Sequence, residues 1–199
     1  MDFPLLIILG YFIGSIPFGV LIGKLFLRID VRDYGSGKMG MTNVMRTVNV
    51  PAAMFVLMLD MGKGILMVSL ARIISDAAAL ESASALAALV GHNWPIFSGF
   101  RGGRGIATGW GSLLILWPPA GLAATFIGLP VVGISRYVSL GAVIATVGGC
   151  AVLIFQALSG IAPLGYMWFA IIGGVLVVVR HKGNIQRLLK GEERKIGKS

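Results

Sequence analysis

Residues 105–135 read GIATGWGSLLILWPPAGLAATFIGLPVVGIS, with no charged side chain between Arg104 and Arg136. As one helix this stretch would be about 45 Å long, against about 30 Å of bilayer hydrocarbon. Trp117-Pro118-Pro119 divides it, because proline removes a backbone donor and disfavours helix in the residue before it. Two short membrane spans joined by a tight turn are therefore expected. Working outward, residues 4–27, 51–74, 82–100, 141–159 and 162–179 are also apolar runs near the ~20 residues a span requires. The predicted fold is an all-α polytopic membrane protein of about seven transmembrane helices, some of them short.

Composition agrees. The 199 residues are 56% hydrophobic and 13% charged, with mean hydropathy +0.88, whereas a soluble domain carries about 25% charged residues. The 29 glycines suit membrane helices. No heptad or Gly-X-Y period is present, which excludes coiled coil and collagen. The net charge of +9 would suggest nucleic acid in a soluble protein, but here the cations flank the spans, so no nucleic-acid partner is expected. Cys150, the single cysteine, lies in an apolar run and reads as a small core residue. The first apolar run lacks a basic leader and is long enough to span, so it reads as a helix rather than a signal peptide.

With the N-terminus outside, Lys24, Arg28, Arg32, Lys38, Arg46, Arg101, Arg104, Arg136 and the cations from residue 180 to 198 share one aqueous side. Arg72 lies near the other side with Asp76 and Glu81. This asymmetry makes the basic side, and the C-terminus, cytoplasmic. Residues 1–190 read as a single integral-membrane domain, and residues 191–199 as a short, charged, mobile cytoplasmic tail.

Polar residues that persist against their insertion cost mark function, and four segments on the basic side hold them. Tyr34-Gly35-Ser36-Gly37-Lys38-Met39-Gly40-Met41-Thr42-Asn43-Val44-Met45-Arg46 combines glycines, hydroxyls and two cations, a composition suited to a phosphate nest. It is not a Walker A loop: Met41 stands at the lysine position and no strand precedes it. Gly91-His92-Asn93-Trp94-Pro95, followed by Arg101-Gly102-Gly103-Arg104-Gly105-Ile106-Ala107-Thr108, sets two guanidinium forks beside unhindered backbone at a helix start. His92 reads first as a structural hydrogen-bonder and second as a base. Arg136-Tyr137-Val138-Ser139 is a short turn, uninformative alone. In Arg180-His181-Lys182-Gly183-Asn184, a continuing helix would set His181 and Asn184 on one face, able to share a polar ligand; its cations read as contacts to anionic lipid heads. Asp60 and Lys63, at i and i+3 inside a span, are expected to form a structural ion pair far from the basic loops. Two histidines and few carboxylates make no metal cluster, and no cofactor is expected. Neither histidine begins His-x-x-x-x-Asp, the arrangement of the familiar glycerolipid acyltransferases, since Phe97 and Gln186 stand at the fifth place.

These motifs, in this order and over nearly the whole chain, resemble the PlsY family of bacterial membrane acyl-phosphate:glycerol-3-phosphate acyltransferases. The resemblance implies transfer of a fatty acyl group from acyl phosphate to the 1-hydroxyl of glycerol 3-phosphate, giving lysophosphatidate and phosphate, the first step of phospholipid synthesis. It implies a monomer in the bacterial inner membrane with its site facing the cytoplasm and membrane lipid around it. Catalysis falls by resemblance on Ser36, Arg46, Arg104, His181 and Asn184. The loop of Gly35, Ser36, Gly37, Lys38, Gly40 and Thr42, with Asn43, is expected to cradle the donor phosphate. Arg46, Arg104, Ser139, His181 and Asn184 are expected to hold glycerol 3-phosphate, and His92, Gly102 and Gly103 complete the binding set. Acyl phosphate is already an activated anhydride, so Ser36 is not expected to be acylated. The chain departs from the family at Lys38, usually asparagine, at Met41, usually alanine, and at Arg101 and Arg104, usually lysines. A transporter of organic phosphates or phospholipids is the rival reading; the lack of an internal repeat and the one-sided motifs count against it. A non-catalytic scaffold leaves the motif loops unexplained.

Overall fold

The computed structural model describes residues 2–197; Met1, Lys198 and Ser199, and with them the final lysine of the expected tail, lie outside the described residues. The described residues form the helices α1 (Asp2–Gly14), α2 (Phe18–Leu27), α3 (Met41–Thr47), α4 (Val50–Ile74), α5 (Ala78–Asn93), α6 (Ile106–Leu116), α7 (Pro118–Ser135), α8 (Val138–Leu158), α9 (Gly174–Arg180) and α10 (Lys182–Leu189), with a π-helical stretch, Phe169–Gly173, leading into α9. Four stretches are long and apolar enough to cross a membrane: Phe3–Leu27, Val50–Ile74, Pro118–Ser135 and Val138–Leu158. Leu164–Arg180 with α10, bent by 56°, makes a fifth. The remaining expected spans are helical but short, at 16 residues for α5 and 11 for α6. They reach about 24 and 16 Å, so neither covers a whole hydrocarbon core.

The Trp117-Pro118-Pro119 break is where the sequence places it. Trp117 is extended, with φ −148°, and Pro118 opens α7 at a position where its missing N–H costs nothing. The third run differs from expectation. Its helix starts earlier and stops at Asn93, because Pro95 disfavours helix in Trp94, and a short 3-10 turn, Ile96–Ser98, follows.

The first run is also divided, at residues 15–17, just before α2. Pro17 has no N–H to donate and holds Ile16 out of helix, which strands carbonyls inside the bundle. Lys63 supplies the missing donor to Gly14 O, 3.1 Å from its Nζ, and a second donor, at 2.6 Å, to Ile16 O, which also accepts from Phe18 N at 3.1 Å. The third partner of that ammonium is Asp60, at 2.8 Å. The expected ion pair is therefore present, and it caps a broken helix. Its expected isolation from the basic loops is not observed, because Asp60 Oδ1 also lies 3.5 Å from His92 Nδ1.

Lipid gives helices no hydrophobic reason to associate, so close backbone approach has to do so. A Cβ on Gly91 would lie 2.2 Å from Tyr11 O, and one on Gly64 2.3 Å from Thr108 O, which brings α5 against α1 and α6 against α4. At the end away from the motif loops, Arg72 bonds Glu81 at 2.7 Å and Ile115 O at 2.9 Å, while Tyr166 donates to Glu81 at 3.0 Å. The core between them includes Val68, Leu113, Leu153 and Phe169, and Cys150 belongs to it as expected.

Candidate active site

Asn43 builds the first loop. From the buried face of α3 its Nδ2 donates to Val31 O at 2.7 Å and Tyr34 O at 3.2 Å, while its Oδ1 accepts from Ser36 N at 2.8 Å. One side chain thereby folds residues 31–36 into a tight turn. Gly35 sits at φ +59° with Asn43 Oδ1 2.3 Å from where its Cβ would be, so neither the conformation nor the space admits a side chain. Gly37 is also left-handed, at φ +67°. Gly40 caps α3 with open space around it, and among the described residues the Thr42 hydroxyl meets only Met41 Sδ, at 3.9 Å. Arg32 fastens this loop to the second one through Ser98 O at 2.6 Å.

The second loop lies flat on the C-terminal end of α5. A Cβ on Gly102 would fall 2.3 Å from His92 O, and one on Gly103 would fall 2.1 Å from His92 Nε2. Gly103 N donates to His92 O at 3.1 Å. His92 is buried between Asp60 and this loop, its Nδ1 3.5 Å from the Asp60 carboxylate; the hydrogen bond expected of its ring is not formed there, since Nδ1 has no hydrogen-bond partner among the described residues. Arg180 closes the arrangement. It stacks 5.0 Å from the Trp94 ring and donates to Asn93 O at 3.2 Å and Gly103 O at 2.9 Å. The lipid contact expected for Arg180 is not what the fold uses it for.

The last helix does not continue through His181; it bends by 56° there. His181 and Asn184 are nevertheless both buried. His181 Nδ1 lies 2.8 Å from Val177 O, which fixes the proton on Nδ1 and leaves Nε2 as an acceptor. Glu193, from a tail expected to be mobile, is drawn inward until its side chain is 7% exposed. It accepts from Ser139 Oγ at 2.8 Å, Asn184 Nδ2 at 2.6 Å and Arg187 Nε at 2.8 Å. Burial by itself would raise its pKa, but these three donors outweigh burial and hold it below the ordinary carboxylate value. Ile196 N bonds Arg136 O at 2.9 Å and Arg46 reaches Arg194 O at 3.4 Å, so the tail backbone crosses the site. Glu193 and Arg180 are the residues the sequence reading missed as site components.

Arg104 follows Gly103 into this setting, half-buried and without an ion pair among the described residues. Burial pushes its pKa down to about 10; Glu193 opposes the shift, while Arg187, Arg46 and Arg180 add to it. Lys38 and Arg46 are shifted down too, by burial first and then by neighbouring cations. Cations that weaken one another's hold on protons mark a site short of negative charge, and an added anion relieves all of them. Directly below lies an apolar cavity of about 170 Å³, bounded near Arg104 by Gly105 and Ile106, near Ser139 by Val138, and near His181 by Val177. The fold thus brings the first, second and fourth motifs, with Ser139 of the third, to one end of the bundle.

Residues 4–191 match the sequence profile of the family described as Glycerol-3-phosphate acyltransferase. A glycerol-3-phosphate acyltransferase of Rubrobacter xylanophilus is 44% identical over 193 residues, covering 97% of this chain and 94% of its own. One from Neisseria meningitidis is 42% identical, covering 94% of both chains. The fold is similar to the crystal structure of PlsY, an integral membrane glycerol 3-phosphate acyltransferase, in its glycerol 3-phosphate form, with TM-score 0.90 and 34% identity over 99% of this chain and 96% of that one. The lysophosphatidic acid form of PlsY superposes with TM-score 0.89.

Proposed function

Since the chain belongs to the glycerol-3-phosphate acyltransferase family, we propose that this integral membrane protein acylates the 1-hydroxyl of glycerol 3-phosphate with acyl phosphate as donor, releasing lysophosphatidate and phosphate. The observation that carries the reading is the half-buried Arg104, without an ion pair among the described residues, set among Arg46, Arg180 and Arg187 above an apolar cavity. That combination suits a phosphate head joined to an acyl tail. In this reading the loop folded by Asn43, with the Ser36 and Gly37 backbone, Lys38 and Thr42, holds the donor phosphate. Arg46, Arg104, Ser139, His181 and Asn184 hold glycerol 3-phosphate, and the acyl chain enters the cavity.

The hydroxyl oxygen of glycerol 3-phosphate attacks the acyl carbonyl carbon, the bond from that carbon to the phosphate oxygen breaks, and phosphate leaves. A phosphate oxygen of the substrates takes the hydroxyl proton. The anhydride is already activated, so alignment and charge stabilisation by Arg104 and Arg46 supply the catalysis. Ser36 binds and is not acylated: no base hydrogen-bonds its hydroxyl among the described residues, while its backbone is tied to Asn43. The excess of cations at the motif end argues for a cytoplasmic site in the bacterial inner membrane, and the chain is taken to act as a monomer.

The test is protein purified in mild detergent and given glycerol 3-phosphate with hexadecanoyl phosphate, hexadecanoyl-CoA or the acyl carrier protein thioester. Lysophosphatidate from the acyl phosphate alone, lost in Arg104→Ala, is expected. Product from a thioester instead refutes the donor, and an Arg104→Ala variant with wild-type kcat/KM refutes the site.

A further inference from the structure

The cavity beneath the cations has a mouth at the motif end and a far end among buried residues of the bundle. The mouth is set by Gly105, Ile106, Val138 and Val177, each next to or one turn from a proposed substrate ligand. The far end is set by Leu113, Ala124, Cys150 and Phe169, all buried. From Val138 to Cys150 along α8 is about 18 Å, and from Gly105 to Leu113 along α6 about 12 Å, at 1.5 Å per residue. One leaflet of a bilayer is about 15 Å of lipid tail, so the depth matches one fatty chain. The wall is almost wholly apolar, and its polar side chains are engaged elsewhere. Thr125 and Thr146 turn their hydroxyls to the carbonyls of Gly121 and Ala142, at 2.9 and 2.8 Å, and Trp110 Nε1 donates to Thr125.

Cys150 and Gly174 both line the cavity and pack closely against each other. A Cβ on Gly174 would lie 3.1 Å from Cys150 Sγ, and one on neighbouring Gly149 would lie 2.8 Å from Ala124 Cβ and 3.0 Å from Leu113 Cδ2. Cys150 itself lines the cavity, so bulk added at position 150 reduces the space at its far end. We propose that the far end of the cavity at Cys150, with Phe169 and Leu113 beside it, sets the length of acyl chain this protein accepts, and that residue 150 is the position where length is read. The proposal rests on the reading that the acyl chain occupies this cavity.

Cys150→Leu adds the bulk of roughly two methylenes at that end. Each methylene denied burial is worth about four-fold in binding, so the ratio of kcat/KM for hexadecanoyl over dodecanoyl phosphate is expected to fall by roughly fifteen-fold. The KM for glycerol 3-phosphate and the turnover of dodecanoyl phosphate are expected to stay near wild type. Val147→Leu, on the lipid side of α8, is the control that leaves the ratio unchanged. A second arm needs no variant, because Cys150 is the single cysteine. Wild-type protein is labelled with an apolar methanethiosulfonate in the presence of non-hydrolysable hexadecanoyl or octanoyl phosphonate. Protection of at least ten-fold by the long analogue and none by the short one is expected. An unchanged chain-length ratio in folded Cys150→Leu, or equal protection by both analogues, overturns the proposal; should the variant not fold, the labelling arm decides alone. Failure of the function reading looks different: the wild type then uses no acyl phosphate of any length, while the labelling arm still reports whether a chain reaches Cys150.

Discussion

Replacing Gly103 by alanine sets a methyl group 2.1 Å from His92 Nε2, 2.9 Å from Cε1 and 3.0 Å from Cδ2. Non-bonded carbons prefer about 3.5–4.0 Å, so ring or loop has to move by about 1 Å or more. The ring is not free to do so, being buried with Asp60 3.5 Å from its Nδ1. The loop gives way instead, and it forfeits the bonds from Gly103 N to His92 O at 3.1 Å and from Arg180 to Gly103 O at 2.9 Å. Two hydrogen bonds at about 1 kcal/mol each and about 1–3 kcal/mol of overpacking give a destabilisation of about 3–5 kcal/mol. Gly103 has no positive φ, so all of this is contact and none is backbone strain. Gly99→Ala is the control: its φ is +62° with nothing within 4 Å of the added carbon, so it carries only about 1–2 kcal/mol of left-handed strain. Arg104 is the next residue, and a misplacement of about 1 Å at a reacting centre costs up to about 100-fold. Thermal unfolding in detergent and kcat/KM for glycerol 3-phosphate are the assays. A Gly103→Ala variant no worse than Gly99→Ala in either would refute the packing of this loop on His92 as the device that aims Arg104.

Asn43→Ala leaves Ser36 N, Val31 O and Tyr34 O without their partner; a loss of about 3 kcal/mol and a raised KM for acyl phosphate are expected from thermal unfolding and steady-state kinetics. Lys63→Met strips the cap from Gly14 O and Ile16 O and leaves Asp60 as an unpaired buried charge, so about 3–5 kcal/mol is expected to be lost. In a double-mutant cycle with Asp60→Asn, the pair is expected to recover part of that loss, and strict additivity would contradict the assigned coupling. Glu193→Gln tests linkage. The folded pKa of Glu193 lies below its ordinary value of 4.5, so its contribution is fully present above that value and is lost as pH falls through the folded one. The gap in melting temperature between wild type and variant is therefore expected to be open at pH 7 and to close on acidification, and a gap constant with pH would contradict the bonding at Glu193.

What a sequence shows of this fold depends on how far apart the cooperating residues stand. The Trp117-Pro118-Pro119 break is legible because proline acts on its immediate neighbours, and the motif loops are legible because glycines, hydroxyls and cations are packed within a few positions. Pro17 acts just as locally, yet its break is hidden inside an apolar run, since the compensating donor, Lys63, is on another helix. The same distance hides the contact of Asp60 with His92, which separates the charge pair from the site only on paper. Arg180 reads as a juxtamembrane cation because position alone does not reveal that Trp94 and two carbonyls wait for it. Glu193 is the hardest case: a carboxylate in a charged tail looks solvated, and its burial follows from an excess of donors that only the folded bundle assembles.

Direct transfer between two substrates at one cationic end of the bundle is tested most directly by a single turnover with enzyme in excess over hexadecanoyl phosphate. Phosphate is followed before and after glycerol 3-phosphate is added, and lysophosphatidate is followed alongside. The account predicts no phosphate before the addition and equal amounts of phosphate and lysophosphatidate after it. A stoichiometric burst of phosphate without glycerol 3-phosphate would reveal an acyl-enzyme and contradict direct transfer.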